Sequence, residues 1–158
     1  MKIEELNLDE RVERAVENFM AGYGCCQSVV AAFSDLYGLD ETMAKRIAAG
    51  FGGGVGRMRM MCGAVSGIVM LVGLDCGQTE GSDREGKSAC YKVVQELLAQ
   101  SQAENGSLIC AVGQLLQPRS ALDGGRLGPC LLGSTGCVQS TVYVLDGAIG
   151  LAGDDFFR

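Results

Sequence analysis

No proline occurs before Pro118, and only Pro129 follows it. Across that proline-free stretch apolar residues recur at three- and four-residue spacing, the period of a helix that buries one face. Leu8 to Met20 puts Val12, Ala15, Val16, Phe19 and Met20 on one stripe. CCQSVVAAFSDLYG, residues 25–38, reads as a second helix with Gly38 as its C′ residue. Asp40 can cap a third, from Glu41 to about Ala49. A glycine-rich connector, Gly50 to Gly56, then leads to a helix that contains Cys62 and ends near Gly73. After a polar break from Gln78 to Ser82, a long amphipathic helix runs from about Asp83 to Ala103. Asn105-Gly106-Ser107 stops it and caps a short helix, Leu108 to Leu116. Residues 117–136 are irregular, and Cys137 to Leu151 forms a last helix, although Val142, Tyr143 and Val144 would also suit a strand. The expected fold is an all-α, single-domain bundle of about six helices over residues 1–158, with a Gly-rich connector.

Composition narrows the function classes. The 158 residues are 47% hydrophobic and 20% charged, which a folded chain with one sizeable core can accommodate. A net charge of −6 without any Lys-Arg run argues against a nucleic-acid partner. MKIEELNLDERVERAVENF is acidic and amphipathic, unlike a signal or transit peptide. The longest apolar run, Ala64 to Leu74, is short and glycine-broken, so no membrane span is expected and the protein is placed in the cytoplasm. Histidine is absent, which removes His-ligated haem, Cys-His zinc sites and Cys-His or Ser-His nucleophiles. The carboxylates considered (Glu4, Glu5, Asp9, Glu10, Asp83, Glu85, Asp154 and Asp155) read as solvated, none standing in an apolar stretch. No constellation is complete enough to define an enzyme.

Sulfur is what is left. The eight cysteines stand at 25, 26, 62, 76, 90, 110, 130 and 137, with no C-x-x-C pair among them. In a reducing cytosol a disulfide framework is the weaker explanation for them. Cys25 and Cys26 follow Gly22-Tyr23-Gly24 at one helix start, and Cys62 opens the small-residue helix after the glycine connector. Cys110 lies three residues after Ser107, and Cys137 follows Gly133-Ser134-Thr135-Gly136. The first turn of a helix carries unpaired N–H groups and about half a positive charge, which favours thiolate over thiol. Arg57 and Arg59 would reinforce that near Cys62. Neighbouring glycines and alanines would allow Cys25, Cys62, Cys110 and Cys137 to converge, with Cys26 and Cys130 as alternates. Four thiolates with positive helix ends suit an iron–sulfur cluster or another metal, with Arg57 balancing its charge. Cys76, at a helix end, and Cys90, inside a helix, read as small buried hydrophobes. GFGGGVGR superficially resembles a phosphate-cradling loop, but it follows a helix and lacks a GK[ST] ending.

GYGCCQSVVAAF, LDETMAKRIAAGFGGGVGRM, CGAVSG and GSLIC together resemble the redox-active C_GCAxxG_C_C family, largely helical proteins with four shared cysteines. Cys62-Gly63-Ala64-Val65-Ser66-Gly67 fills its CGAxxG motif. By that resemblance Cys25 is the first family cysteine, Cys110 the third and Cys137 the fourth, while Cys26, Cys76, Cys90 and Cys130 are additions. The resemblance also implies an oxidoreductase or transporter-associated partner, because relatives are encoded near such genes. Three functions follow: electron transfer through an iron–sulfur or other metal centre on Cys25, Cys62, Cys110 and Cys137; thiol–disulfide cycling of the same residues without metal; or a non-catalytic helical binding module using Gly63, Gly67, Met58, Met60 and Met61. A homodimer is common for compact bundles.

Overall fold

The computed structural model describes residues 6–110, 137–139 and 141–145, and those residues form an all-α fold. Helix α1 spans Leu8–Met20, α2 Cys25–Phe33, α3 Glu41–Ala48, α4 Gly63–Cys76 and α5 Arg84–Asn105. Short 3₁₀ turns, Ser34–Tyr37 and Ala49–Phe51, extend α2 and α3. Residues 137–139 and 141–145 are also helical, so Val142, Tyr143 and Val144 do not form a strand. Among the described residues no helix is long and apolar enough to cross a membrane.

Local chemistry fixes the helix ends. The side chains of Asn7, Asp40 and Asp83 accept from the amides of Glu10 (3.2 Å), Met43 (2.9 Å) and Gly86 (2.8 Å), each satisfying a first-turn donor. Gly38 and Gly106 close α2's 3₁₀ extension and α5 at φ +60° and +75°, a left-handed conformation that costs glycine nothing. Two boundaries depart from the sequence reading. Helix α4 does not end near Gly73 but continues to Cys76, because an isolated glycine weakens a helix without stopping it. Leu108 does not open a helix: Ile109 pairs with Met61 in an isolated antiparallel bridge, and helix begins only at Cys110. The remainder of that expected helix, and the irregular 117–136 stretch, lie outside the described residues.

Helix α2 is the centre. It packs against α1, α3 and α4, and α5 packs against α4. From Ser28 to Phe33 every residue of α2 is buried, and so is every residue of α4 from Gly63 to Ile68. Val138, Val142, Val144 and Leu145 complete the same core, and the Tyr143 hydroxyl donates to Asp9 Oδ1 at 2.8 Å, tying this last segment to α1. Arg11 of α1 clamps the end of α2 by donating to Ala32 O at 2.8 Å and, through both terminal nitrogens, to the Asp35 carboxylate.

The α2–α4 contact leaves no space for a side chain at Gly63 or Gly67 of α4. A Cβ on Gly63 would lie 2.9 Å from Phe51 O, 3.2 Å from Cys25 Cβ and 3.2 Å from Cys26 N. One turn later, a Cβ on Gly67 would lie 3.0 Å from Val29 Cβ and 3.3 Å from Cys26 O. Helices with small residues at such a contact approach backbone to backbone, and a methyl group there meets atoms that cannot swing away. Gly73, on the same helix, has nothing within 4 Å of its Cβ position. Gly73→Ala is therefore expected to raise the unfolding free energy obtained from a urea titration through helix propensity, by about 0.5–1 kcal/mol. Gly67→Ala, with the same propensity gain, is expected to lower it by roughly 1 kcal/mol or more because overpacking dominates. Equal shifts of one sign would refute the close contact.

Candidate functional site

Three of the sequence-identified cysteines are fixed by backbone. Cys25 is the first residue of α2, and the preceding turn is held by the Gly24 amide donating to Gln27 Oε1 at 2.9 Å. Cys62 is the N-cap of α4. Its amide donates to Leu108 O at 2.8 Å, while the Cys110 amide donates to Met60 O at 2.7 Å. These two bonds flank the Met61–Ile109 bridge and clasp Cys62 and Cys110 to each other's segments across 48 residues of sequence (110 − 62). Cys137 begins the helical residues 137–139.

The glycine connector is more unusual than its composition indicated. Gly53, Gly54, Val55, Gly56 and Arg57 all have φ between +58° and +75°, and Arg59 follows at +60°. The stretch is thus a left-handed turn, closed by bonds such as Gly56 N–H to Gly50 O (2.8 Å) and Met60 N–H to Gly54 O (2.9 Å). Left-handed backbone costs a non-glycine residue roughly 1–2 kcal/mol, and for β-branched Val55 it is a clear outlier. What the turn accomplishes is proximity: a Cβ on Gly54 would lie 2.8 Å from Cys110 Cβ and 2.7 Å from Met60 N. The chain passes Cys110 as closely as a backbone can. Strain of this kind persists only where surrounding structure enforces it.

The sulfurs share one electrostatic neighbourhood. The Cys62 and Cys137 thiols are hydrogen-bonded to each other. That bond, followed by the amides of Val65 and Ala64, pulls the Cys62 thiol down to about 6 despite partial burial. The two amides act on the sulfur as first-turn dipoles, without closing a full capping hydrogen bond. Cys137 is pushed far upward by the hydrogen bond to Cys62, by burial, and by the charges of Cys62, Cys25 and Cys110. The two shifts point in opposite directions, Cys62 toward the thiolate and Cys137 toward the thiol. Arg59 Nη1 donates to Cys110 Sγ at 3.7 Å. Arg57 is exposed on the left-handed turn, so the guanidinium that reaches a site sulfur is that of Arg59.

The additional cysteines separate. Cys26 is fully buried, its thiol facing Met70 Sδ at 3.8 Å, and burial with the charges of Cys25 and Cys62 pushes it up to about 12. It packs with Val30, Ala44 and Ala48 as a small hydrophobe. Cys76 and Cys90 lie elsewhere, on the α4–α5 contact. Cys130 lies outside the described residues. Among the described residues, no group of three or more Cys, Asp or Glu side chains is arranged to hold a metal ion. The sequence reading missed one carboxylate: Asp75, near the end of apolar α4, is pushed up to about 7 by burial, and its Oδ2 is buried without a hydrogen-bond partner. An acid inside an otherwise apolar helix was the available signal.

Gly54→Ala is expected to destabilise the fold by roughly 1–3 kcal/mol, since the new methyl meets Cys110 and backbone. Val55→Gly, one residue on, is expected to be neutral or stabilising in the same urea titration, because relief of left-handed strain outweighs or matches glycine's greater unfolded-state entropy. Loss of stability in Val55→Gly would contradict the left-handed turn.

Comparison with curated proteins and with solved structures finds no match. Residues 23–130 match the family described as "Putative redox-active protein (C_GCAxxG_C_C)", a span that runs from the turn before Cys25 past the glycine connector, the CGAVSG motif and Cys110. The chain belongs to the C_GCAxxG_C_C family.

Proposed function

We propose that the protein is a thiol–disulfide redox protein in which Cys62 is the attacking thiolate and Cys137 the resolving thiol. One observation carries this reading: the two sulfurs are hydrogen-bonded with Cys62 pulled down to about 6, so near neutral pH one sulfur is a nucleophile and the other holds a proton. Family membership supports redox activity in general terms. In the step envisaged, the Cys62 thiolate attacks a disulfide on a partner and forms a mixed disulfide, and the first partner sulfur leaves as a thiolate. Cys137 then loses its proton and attacks the Cys62 sulfur, releasing the second partner sulfur, which with the first takes up protons to become a dithiol. The partner gains two electrons and the Cys62–Cys137 bond forms. A dithiol reductant, by the reverse exchange, regenerates the starting state.

Trapping tests this directly. Cys137→Ala should accumulate a mixed disulfide at Cys62 with a low-molecular-weight disulfide, whereas wild type should resolve to a Cys62–Cys137 bridge in the mass map. No adduct at Cys62 and no bridge would refute the assignment. Alkylation supplies the pH test. Only thiolate reacts, so the rate at the Cys62 peptide should rise through about pH 6 and level off above it. Cys137→Ala, by removing the largest downward influence, should move that midpoint upward. Stability follows the same sign. A thiol held below its ordinary value contributes stability that is full above the unfolded thiol's pKa, about 8.5. That contribution is lost as pH falls through about 6.

An iron–sulfur cluster on Cys25, Cys62, Cys110 and Cys137 is the second reading: the charges of Cys25, Cys62 and Cys110 all act on Cys137, but the four sulfurs would have to draw closer together to hold a metal. Iron and sulfide analysis of protein purified without oxygen decides it: neither element bound, in protein that still forms the Cys62–Cys137 bridge, discards the cluster.

A further inference from the structure

The α4–α5 contact holds a second pair of sulfurs that the site above does not use. Cys76 is the last residue of α4, and Cys90 lies in the second turn of α5. Both belong to the packed core around Leu71, Val72 and Leu97, with Cys90 buried and Cys76 at its edge. The Cys76 thiol donates to Val72 O, the carbonyl one turn back, at 3.3 Å, and Cys90 faces it across the α4–α5 contact as one of the groups that push it upward. Beside them Asp75 carries the buried carboxylate oxygen that lacks a partner, and Tyr37, on the 3₁₀ turn after α2, senses the charges of both Asp75 and Cys76. None of these groups acts on Cys62 or Cys137.

We propose that Cys76 and Cys90 are a second dithiol–disulfide couple, separate from the Cys62–Cys137 pair, that staples the end of α4 to α5. The oxidant is a low-molecular-weight disulfide such as oxidised glutathione. Cys76, the more accessible sulfur, attacks it as the thiolate and becomes a mixed disulfide while one glutathione thiolate leaves. Cys90 then loses its proton and displaces the second glutathione from Cys76. The two cysteines give up two electrons and two protons, and oxidised glutathione takes them up to become two glutathione molecules. The chemistry of the surroundings sets the direction of this couple. Burial, the neighbouring Cys90 and the Asp75 charge push the Cys76 thiol up to about 12, so its thiolate is disfavoured. A couple whose reduced form lacks thiolate stabilisation keeps its disulfide under more reducing conditions, the opposite of one whose thiolate is favoured. The same lack of thiolate makes closure slow.

The test is a redox titration of the full chain in glutathione buffers, taken to equilibrium, acid-quenched, alkylated and mapped by mass. A bridge between the peptides holding Cys76 and Cys90 is expected, persisting at glutathione ratios where Cys62 and Cys137 are reduced, and raising the melting temperature by several degrees. The Cys62→Ala chain should form it equally, which separates this couple from the function proposed above. Cys90→Ala should leave Cys76 as a glutathione mixed disulfide. Separate alkylation of Cys76 and Cys90 at equilibrium in fully oxidising buffer would overturn the proposal, as would a bridge from Cys76 to any other cysteine.

Discussion

Everything at the sulfur site depends on two helices touching through their backbones. Gly63 meets Cys25 and Cys26, and Gly67 meets Val29 and the Cys26 carbonyl, so α2 and α4 advance side by side in the same direction. Their N-termini therefore open at one place. Two parallel helix dipoles repel each other weakly, and that arrangement needs compensation. Negative charge on sulfur between the two N-termini supplies it. Close approach and thiolate chemistry are thus one feature: a methyl group on either glycine would move the helices apart and separate the amides from the charge they stabilise. The left-handed turn extends the logic to Cys110, with Gly54 doing for that segment what Gly63 does for α2.

The same crowding limits how much charge the pocket holds. A donor thiol and two amides pull Cys62 toward the thiolate. Cys137 and Cys26 then feel that negative charge together with Cys25, and both are driven toward the neutral thiol. Like charges a few ångströms apart in a poorly hydrated site cannot all ionise unless a cation joins them. Arg59 brings a cation to Cys110. One nucleophile and one proton donor is the state these surroundings favour, which is the state a dithiol couple needs before attack.

Much of this was legible in the sequence because the signals are local. Asp40, Asp83 and Gly106 stand where caps and stops are expected, and the helices begin and end beside them. Cysteines at helix starts were readable for the same reason. What the sequence did not disclose is set by tertiary contact. Gly73 resembles a helix terminator, yet α4 continues because the neighbouring Leu71 and Val72 are buried in the core. Ile109 leaves its expected helix because Met61 offers it a bridge, a pairing between segments far apart in the chain. Val55 gives no hint of positive φ, since nothing in its chemistry favours it. The split between Cys25 and Cys26, adjacent in sequence, comes from a 100° turn of the helix: one faces the other sulfurs, the other faces Met70 and the core.

Helix α4 carries one cysteine of each sulfur pair, and the surroundings of its two ends act on them in opposite directions. Cys62 caps its N-terminus, where unpaired amides stabilise negative charge. Cys76 ends it, where burial, the neighbouring Cys90 and the Asp75 charge disfavour such charge. At the first end the Cys137 thiol is the largest downward influence and the amides add to it; at the other, burial is the largest upward one, so the side chains packed around each end distinguish the two cysteines. Residues of one type, on one helix, are pulled down to about 6 at one end and pushed up to about 12 at the other. In the couples proposed above, the pair with the favoured thiolate would be the more easily reduced, and the other would keep its bridge under more reducing conditions. The asymmetry is a property of what packs around each end of the helix, and the glycine contact that anchors its N-terminus against α2 holds that end in place.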